Sequence, residues 1–82
     1  MKRKYIVSNE LGIFCYSDRK KTVLHREDGP AVEYPNGDKY WFYNNKLHRS
    51  DGPAIEWANG QFGYYIHDQS VSQKSFEEWR KK

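Results

Sequence analysis

LHREDGPAVEYPNG (residues 24–37) returns 23 positions later as LHRSDGPAIEWANG (residues 47–60). Aligning residues 24–46 with 47–69 leaves ten of 23 positions identical, and others exchange like for like: Val32 with Ile55, Tyr34 with Trp57, Trp41 with Tyr64, Phe42 with Tyr65. A fixed period of this length is the signature of a stacked structural unit.

Each unit reads as strand, turn, strand. Residues 31–34 (AVEY) form a short β run. Pro35-Asn36-Gly37 is a turn, because Pro pre-sets its φ while Asn and Gly accept positive φ. Residues 39–43 (KYWFY) form an aromatic second strand, and Asn44-Asn45-Lys46 turns again. The second unit repeats the pattern with a strand over 54–57, turn Ala58-Asn59-Gly60, a strand over 62–66 and turn His67-Asp68-Gln69. Strand alternation puts Val32 and Tyr34 on one face and Ala31 and Glu33 on the other; Tyr40 and Phe42 oppose Trp41 and Tyr43. Gly63 stands where the first unit has Tyr40, which leaves a gap in the ring ladder.

The ends read as caps. Residues 5–16 (YIVSNELGIFCY) look like a degenerate earlier unit, joined to the first repeat by the basic loop SDRKKTV over 17–23. The tail VSQKSFEEWRKK reads as a short helix with Ser72 as N-cap and Phe76 and Trp79 on one face, covering the last hydrophobic edge. The expected fold is therefore mainly β: one domain, a single-layer antiparallel meander of repeated β-hairpins with a short C-terminal capping helix. Its parts are 1–23, 24–46, 47–69 and 70–82.

Composition narrows the function. The 82 residues include seven Tyr, four Phe and three Trp, 17% aromatic, which favours a thin sheet over a thick aliphatic core. Cys15 is the lone cysteine, so an internal disulfide and a cysteine-based zinc site are excluded. The apolar stretch near the N-terminus, Tyr5 to Val7, is too short for a signal peptide or a membrane span, so a soluble cytoplasmic protein without membrane contact is expected. The net charge of +3 divides as +4 over residues 1–23, −3 over 24–69 and +2 over 70–82. Basic ends around acidic repeats are the reverse of a phosphate-tracking groove.

The candidate residues form two sets. His25, Arg26, Asp28, Gly29, Pro30 and their counterparts His48, Arg49, Asp51, Gly52, Pro53 read as turn chemistry. Gly adopts backbone shapes closed to other residues, Pro sets an extended start to the strand, and His and Arg brace the Asp carboxylate. The same His and Asp could be imagined as metal ligands or an acid–base pair, but residues repeated in every unit usually maintain the unit. Glu33 and Glu56 read as exposed strand charges paired across the sheet rather than as a catalytic carboxylate pair. Tyr40, Trp41, Tyr43, Trp57, Tyr64 and Tyr65, with the loop cations Arg19, Lys20 and Lys21, are the candidate partner-binding residues. Lys2-Arg3-Lys4 and Arg80-Lys81-Lys82 add two more basic clusters.

YWFYNNKLHRSDGPA (40–54), LHREDGPA (24–31) and the closing VSQKSFEEW (71–79) carry a resemblance. The units resemble the MORN repeat, and more closely a variant in many short phage and bacterial proteins, with units of the type Y-W-Y-x-N-G-K-x-H-R-E-D-G-P-A. The resemblance covers residues 24–79. It implies a single-layer curved array of hairpins and a scaffolding or docking role. In that group the concrete expectation is a small phage-type accessory protein that binds and inhibits a host or defence protein in the host cytoplasm. MORN lipid binding does not carry over, because the usual His-Gly-x-Gly is here His-Arg-x-Asp-Gly-Pro-Ala. The usual Asn-Gly turn is Asn44-Asn45 in one unit and His67-Asp68 in the other. The expected function is a non-enzymatic protein-interaction module with no cofactor and no metal. The alternatives are a nucleic-acid binder using the basic ends and aromatic stacking, and a self-associating structural repeat protein that forms a homo-oligomer.

Overall fold

The computed structural model describes residues 4–81. Lys2, Arg3 and Lys82, members of the two terminal basic clusters, lie outside the described residues. Nine strands precede one helix: β1 Tyr5–Asn9, β2 Gly12–Tyr16, β3 Val32–Glu33, β4 Lys39–Tyr40, β5 Phe42–Tyr43, β6 Lys46–Leu47, β7 Ile55–Glu56, β8 Phe62–Ile66, β9 Gln69–Val71 and α1 Gln73–Arg80. Seven strands make one antiparallel sheet in the order β1-β2-β3-β4-β7-β8-β9, and β5 and β6 pair as a separate ribbon. No described helix is long and apolar enough to cross a membrane.

The two kinds of turn follow from their residues. In the Pro35-Asn36-Gly37 loop, Gly37 takes φ +102°, the Tyr34 N–H donates to the Asp38 carbonyl at 2.9 Å, and Asn36 Oδ1 accepts the Asp38 N–H at 3.0 Å. Ala58-Asn59-Gly60 copies it, with Gly60 at φ +91° and Asn59 Oδ1 accepting from Gln61. Asp38 Oδ1 also accepts the Ala58 N–H at 2.7 Å, which ties one turn to the next. The other turns are shorter than the sequence suggests. Asn44 and Asn45, and then His67 and Asp68, all have positive φ, the signature of a two-residue primed turn. Lys46 and Gln69, read above as turn residues, therefore already begin strands β6 and β9.

The expected strand over 39–43 is broken at Trp41, which joins neither β4 nor β5. Its N–H donates to the Ala54 carbonyl at 2.7 Å and its carbonyl accepts the His48 N–H at 3.1 Å. The following unit leaves the sheet after His48 and returns at Ala54, and one residue holds both ends of that excursion. Cys15 does the same for the first loop, donating to Ala31 at 2.7 Å and accepting from His25 at 3.1 Å. Cys15 thus stands to the first HRxDGP loop as Trp41 stands to the second. The longer link over 17–23 is closed by Asp18, which accepts the N–H groups of Thr22 and Val23 and the Thr22 hydroxyl, while Tyr16 bridges to Leu24.

Strand register sorts the side chains. Val7, Phe14, Val32, Tyr40, Ile55 and Gly63 lie in one cross-strand row. Alternation adds Tyr5, Tyr16, Tyr34, Phe42, Trp57 and Tyr65 to that face, here called the open face. Ile13, Glu33, Lys39, Glu56 and Phe62 form the row behind it, with Cys15, Trp41 and Tyr64. On this second face, the loop face, the Arg49 guanidinium stacks over Trp41 and α1 sets Phe76 against Tyr64 at 4.8 Å. Ser72 caps α1 by accepting the Ser75 N–H at 3.1 Å. The buried apolar residues come from both faces: Cys15, Ala31, Trp41, Ala54 and Phe76 on the loop face, Val32 and Ile55 under the rings of the open face.

The missing ring at Gly63 leaves no gap. The Trp57 indole reaches over it, so a Cβ at Gly63 would sit 3.4 Å from that ring and 3.2 Å from Tyr65. In the first unit the smaller Tyr34 meets Tyr40 edge-on at 5.6 Å. Gly63→Tyr alone is expected to cost about 1–3 kcal/mol by overpacking. Adding Trp57→Tyr should recover most of it, a non-additive pair readable by urea denaturation.

Candidate functional site

The two HRxDGP loops are built alike. Arg26 Nε donates to Asp28 Oδ1 at 3.0 Å and its Nη1 to the Pro30 carbonyl at 3.3 Å; Arg49 makes the same bonds to Asp51 (2.7 Å) and Pro53 (3.1 Å). Arg49 Nη1 also donates to Glu56 at 3.0 Å, and its guanidinium lies 3.9 Å from the Trp41 ring centre. Each arginine thus spans its loop from the Asp to the start of the returning strand. The glycines serve this span by close approach. Neither Gly29 nor Gly52 has positive φ, and an added Cβ at either would stand 3.1 Å from the arginine Cζ. The expectation of a special backbone shape there is corrected: what the loop needs is room for the guanidinium.

The carboxylates are held ionised. Hydrogen bonds from Lys4 and then Arg26 bring the Asp28 pKa down to about 2, and Arg49 lowers that of Asp51. Groups held in this way are poor proton donors near neutrality. The Cys15 thiol is buried, and burial raises its pKa, which opposes thiolate chemistry.

The histidines do not touch the Asp residues, which corrects the expected brace. His25 Nδ1 accepts the Asn44 N–H at 3.0 Å, and His48 Nδ1 accepts the His67 N–H at 3.2 Å. Each imidazole secures the two-residue turn that closes its own unit. The turn is fastened again at Leu24, whose N–H donates to Asn45 Oδ1 (2.7 Å), and at Leu47, whose N–H donates to Asp68 Oδ1 (2.6 Å). This requirement explains the side chains at these turns: Asn45 and Asp68 supply an acceptor that the usual Gly lacks.

His48 also stacks on His67 with ring centres 4.2 Å apart and meets Trp79 edge-on. Burial, and then the neighbouring His67, lower its pKa below 6.5. The unfolded chain therefore binds a proton at higher pH than the folded one. Stability from His48 is complete above about 6.5 and is lost as pH falls through the depressed folded value. Melting temperature is expected to drop between pH 7 and pH 5, and to drop less in His48→Gln.

Between the two loops lies an open cleft of about 540 Å³, bordered by Arg26, Asp28, Trp41, Tyr43, Arg49 and Asp51. Each arginine of the lining is already bonded to the Asp of its own loop, and Glu27 adds a third carboxylate against the two guanidinium groups. Among the described residues no group of three or more His, Cys, Asp or Glu side chains could hold a metal ion. Lys39 lies in register between Glu33 and Glu56, which places a cation between those two carboxylates.

The six candidate aromatics divide between the faces. Tyr40, Trp57 and Tyr65 lie on the open face. Trp41 is only 9% exposed under Arg49, Tyr43 meets His25 at 4.4 Å, and Tyr64 packs on Phe76. Arg19, Lys20 and Lys21 are exposed on the 17–23 loop, with Lys21 at φ 59°. Phe14, Tyr34 and Phe42 share the open face; strand alternation around Val32 and Tyr40 reaches Tyr34 and Phe42, while Phe14 is placed there by its register with Val32. No family model, curated protein or solved structure matches the chain.

Proposed function

We propose that the chain is a non-enzymatic protein-interaction module that docks its partner on the open face. One observation carries this. Every strand position assigned to that face from Tyr5 to Tyr65 is aromatic, aliphatic, Gly or Asn, and none is charged. Both HRxDGP loops and the helix are spent on the other face. Tyr and Trp make effective anchors because their area is large and their rotamers few. The partner is a folded protein with an apolar patch bordered by carboxylates, which the exposed Arg19, Lys20 and Lys21 complement. The held carboxylates and buried thiol support a binding role over catalysis. The likeness of the units to small phage and bacterial repeat proteins supports the finer reading, an accessory protein acting in a host cytoplasm to inhibit a host or defence protein.

The test is capture from host lysate with the wild-type chain, Trp57→Ala and Glu56→Gln, each checked for a folded spectrum, with and without nuclease. A near-stoichiometric protein retained by wild type and Glu56→Gln but lost with Trp57→Ala supports the reading. A signal abolished by nuclease moves the assignment to nucleic acid. A protein held equally by all three variants removes the open face from the account.

A further inference from the structure

We propose that β1 is a self-complementary edge through which two copies of the chain pair antiparallel about Val7. β1 is the outer strand of the seven-stranded sheet. Exposed edge strands are usually blunted by proline, a bulge or a charge within the strand. β1 has none: Tyr5–Asn9 is YIVSN, paired with β2 residue for residue without a bulge.

The hydrogen-bonding groups of this edge can be assigned. Cys15 faces Ile6, yet Cys15 spends its N–H on Ala31 and its carbonyl on His25, on the side away from β1. Ile6:Cys15 is therefore a non-hydrogen-bonded pair. Alternation then turns the N–H and C=O of Ile6 and Ser8 outward, and those of Tyr5, Val7 and Asn9 toward β2. Lys4 precedes β1 and Glu10 follows it as the first residue of the Glu10-Leu11 turn, so the outward-facing groups of the edge are those of Ile6 and Ser8.

An antiparallel partner centred on Val7 uses these groups. Residue 6 of one copy meets residue 8 of the other, twice, and both pairs have outward-facing N–H and C=O groups. Val7 faces Val7 of the second copy as a non-hydrogen-bonded pair, which brings their side chains close on the open face. The same register brings the Lys4 side chain of one copy, just before β1, near Glu10 in the turn of the other, again twice. Lys4 already holds Asp28, but an ammonium has three donors. Ile6, 56% exposed on the loop face, gains a diagonal neighbour in Ile6 of the second copy. The interface is isologous, closes at two copies, and extends both faces across the junction. It does not depend on what binds the open face.

Sedimentation velocity on the intact chain over a wide concentration range tests this. The expected species at high concentration has twice the 9.9 kDa chain mass. Ser8→Pro removes an outward N–H without breaking a bond to β2, so it should give a folded monomer. Glu10→Lys brings like charges together and should weaken pairing about tenfold. Mixing Glu10→Lys with Lys4→Glu makes both cross-pairs attractive again and should restore the pair as a heterodimer. A wild-type chain that stays monomeric throughout overturns the proposal. So does a dimer that survives in folded Ser8→Pro, or a charge-reversed mixture that fails to associate while both variants remain folded.

Discussion

Gly12→Ala is expected to lower the melting temperature by roughly 15–20 °C, from a cost of about 3 kcal/mol in a domain of this size. Two penalties coincide. Gly12 has φ +142°, which L side chains rarely adopt, and an added Cβ would stand 2.6 Å from the Glu33 carbonyl oxygen. That oxygen belongs to the neighbouring strand and cannot rotate away as a side chain could. Stability near 0.05–0.15 kcal/mol per residue gives about 4–12 kcal/mol for the whole chain, so this one methyl removes a large share. Gly60→Ala is the internal control. Gly60 also has positive φ, but nothing lies within 4 Å of its Cβ position, so only the conformational cost of about 1 kcal/mol applies. Thermal melts followed by circular dichroism separate the two. Equal losses would mean that the approach of Glu33 does not matter.

Phe76→Ala should detach α1 and leave the sheet standing. Phe76 is fully buried against Tyr64, with Trp79 at 5.9 Å beyond it. Truncating such a ring costs about 3–5 kcal/mol. An eight-residue helix has little stability of its own, so loss of its one buried anchor should release it before the strands melt. Hydrogen exchange would then show fast amides over 73–80 with protection kept at Val32 and Ile55. Ser72→Ala removes only the cap and should cost about 1 kcal/mol, with the helix retained. Whole-chain unfolding in Phe76→Ala would show instead that α1 and sheet form one cooperative unit.

The repeat made the architecture legible, because period, turn residues and alternation agreed at every level. Hairpin order, the Ser72 cap and the Phe76–Trp79 face of α1 could all be read from the sequence. What could not be read depended on contacts between segments distant in sequence. The break at Trp41 exists because His48 and Ala54 both bond to it. The service of Gly29 and Gly52 to an arginine is a matter of proximity, which spacing does not reveal. The histidines were assigned to the wrong turn because His25 lies three residues from Asp28 but 19 from Asn44, and the longer contact is the one made. At the candidate site, strand parity separates Tyr40 from Trp41. Which face carries the two HRxDGP loops depends on where they fold, and no local signal carries it.

Asn45 and Asp68 each fasten the end of a unit to its own first residue across 21 positions, and Asp38 reaches 20 positions to the next turn. Nearly every stabilising contact is thus made within one word of the sequence or with the adjacent word. Cooperativity in such a chain is a nearest-neighbour property, as in a one-dimensional lattice. The short loops that must close make for rapid assembly. Copying residues 47–69 once more ahead of the capping helix would give the new word its own Leu, His and Asp fastening, with Tyr64 in the place where its predecessor meets Trp41. Length is then a variable the genetic text can change by duplication, without rewriting a core.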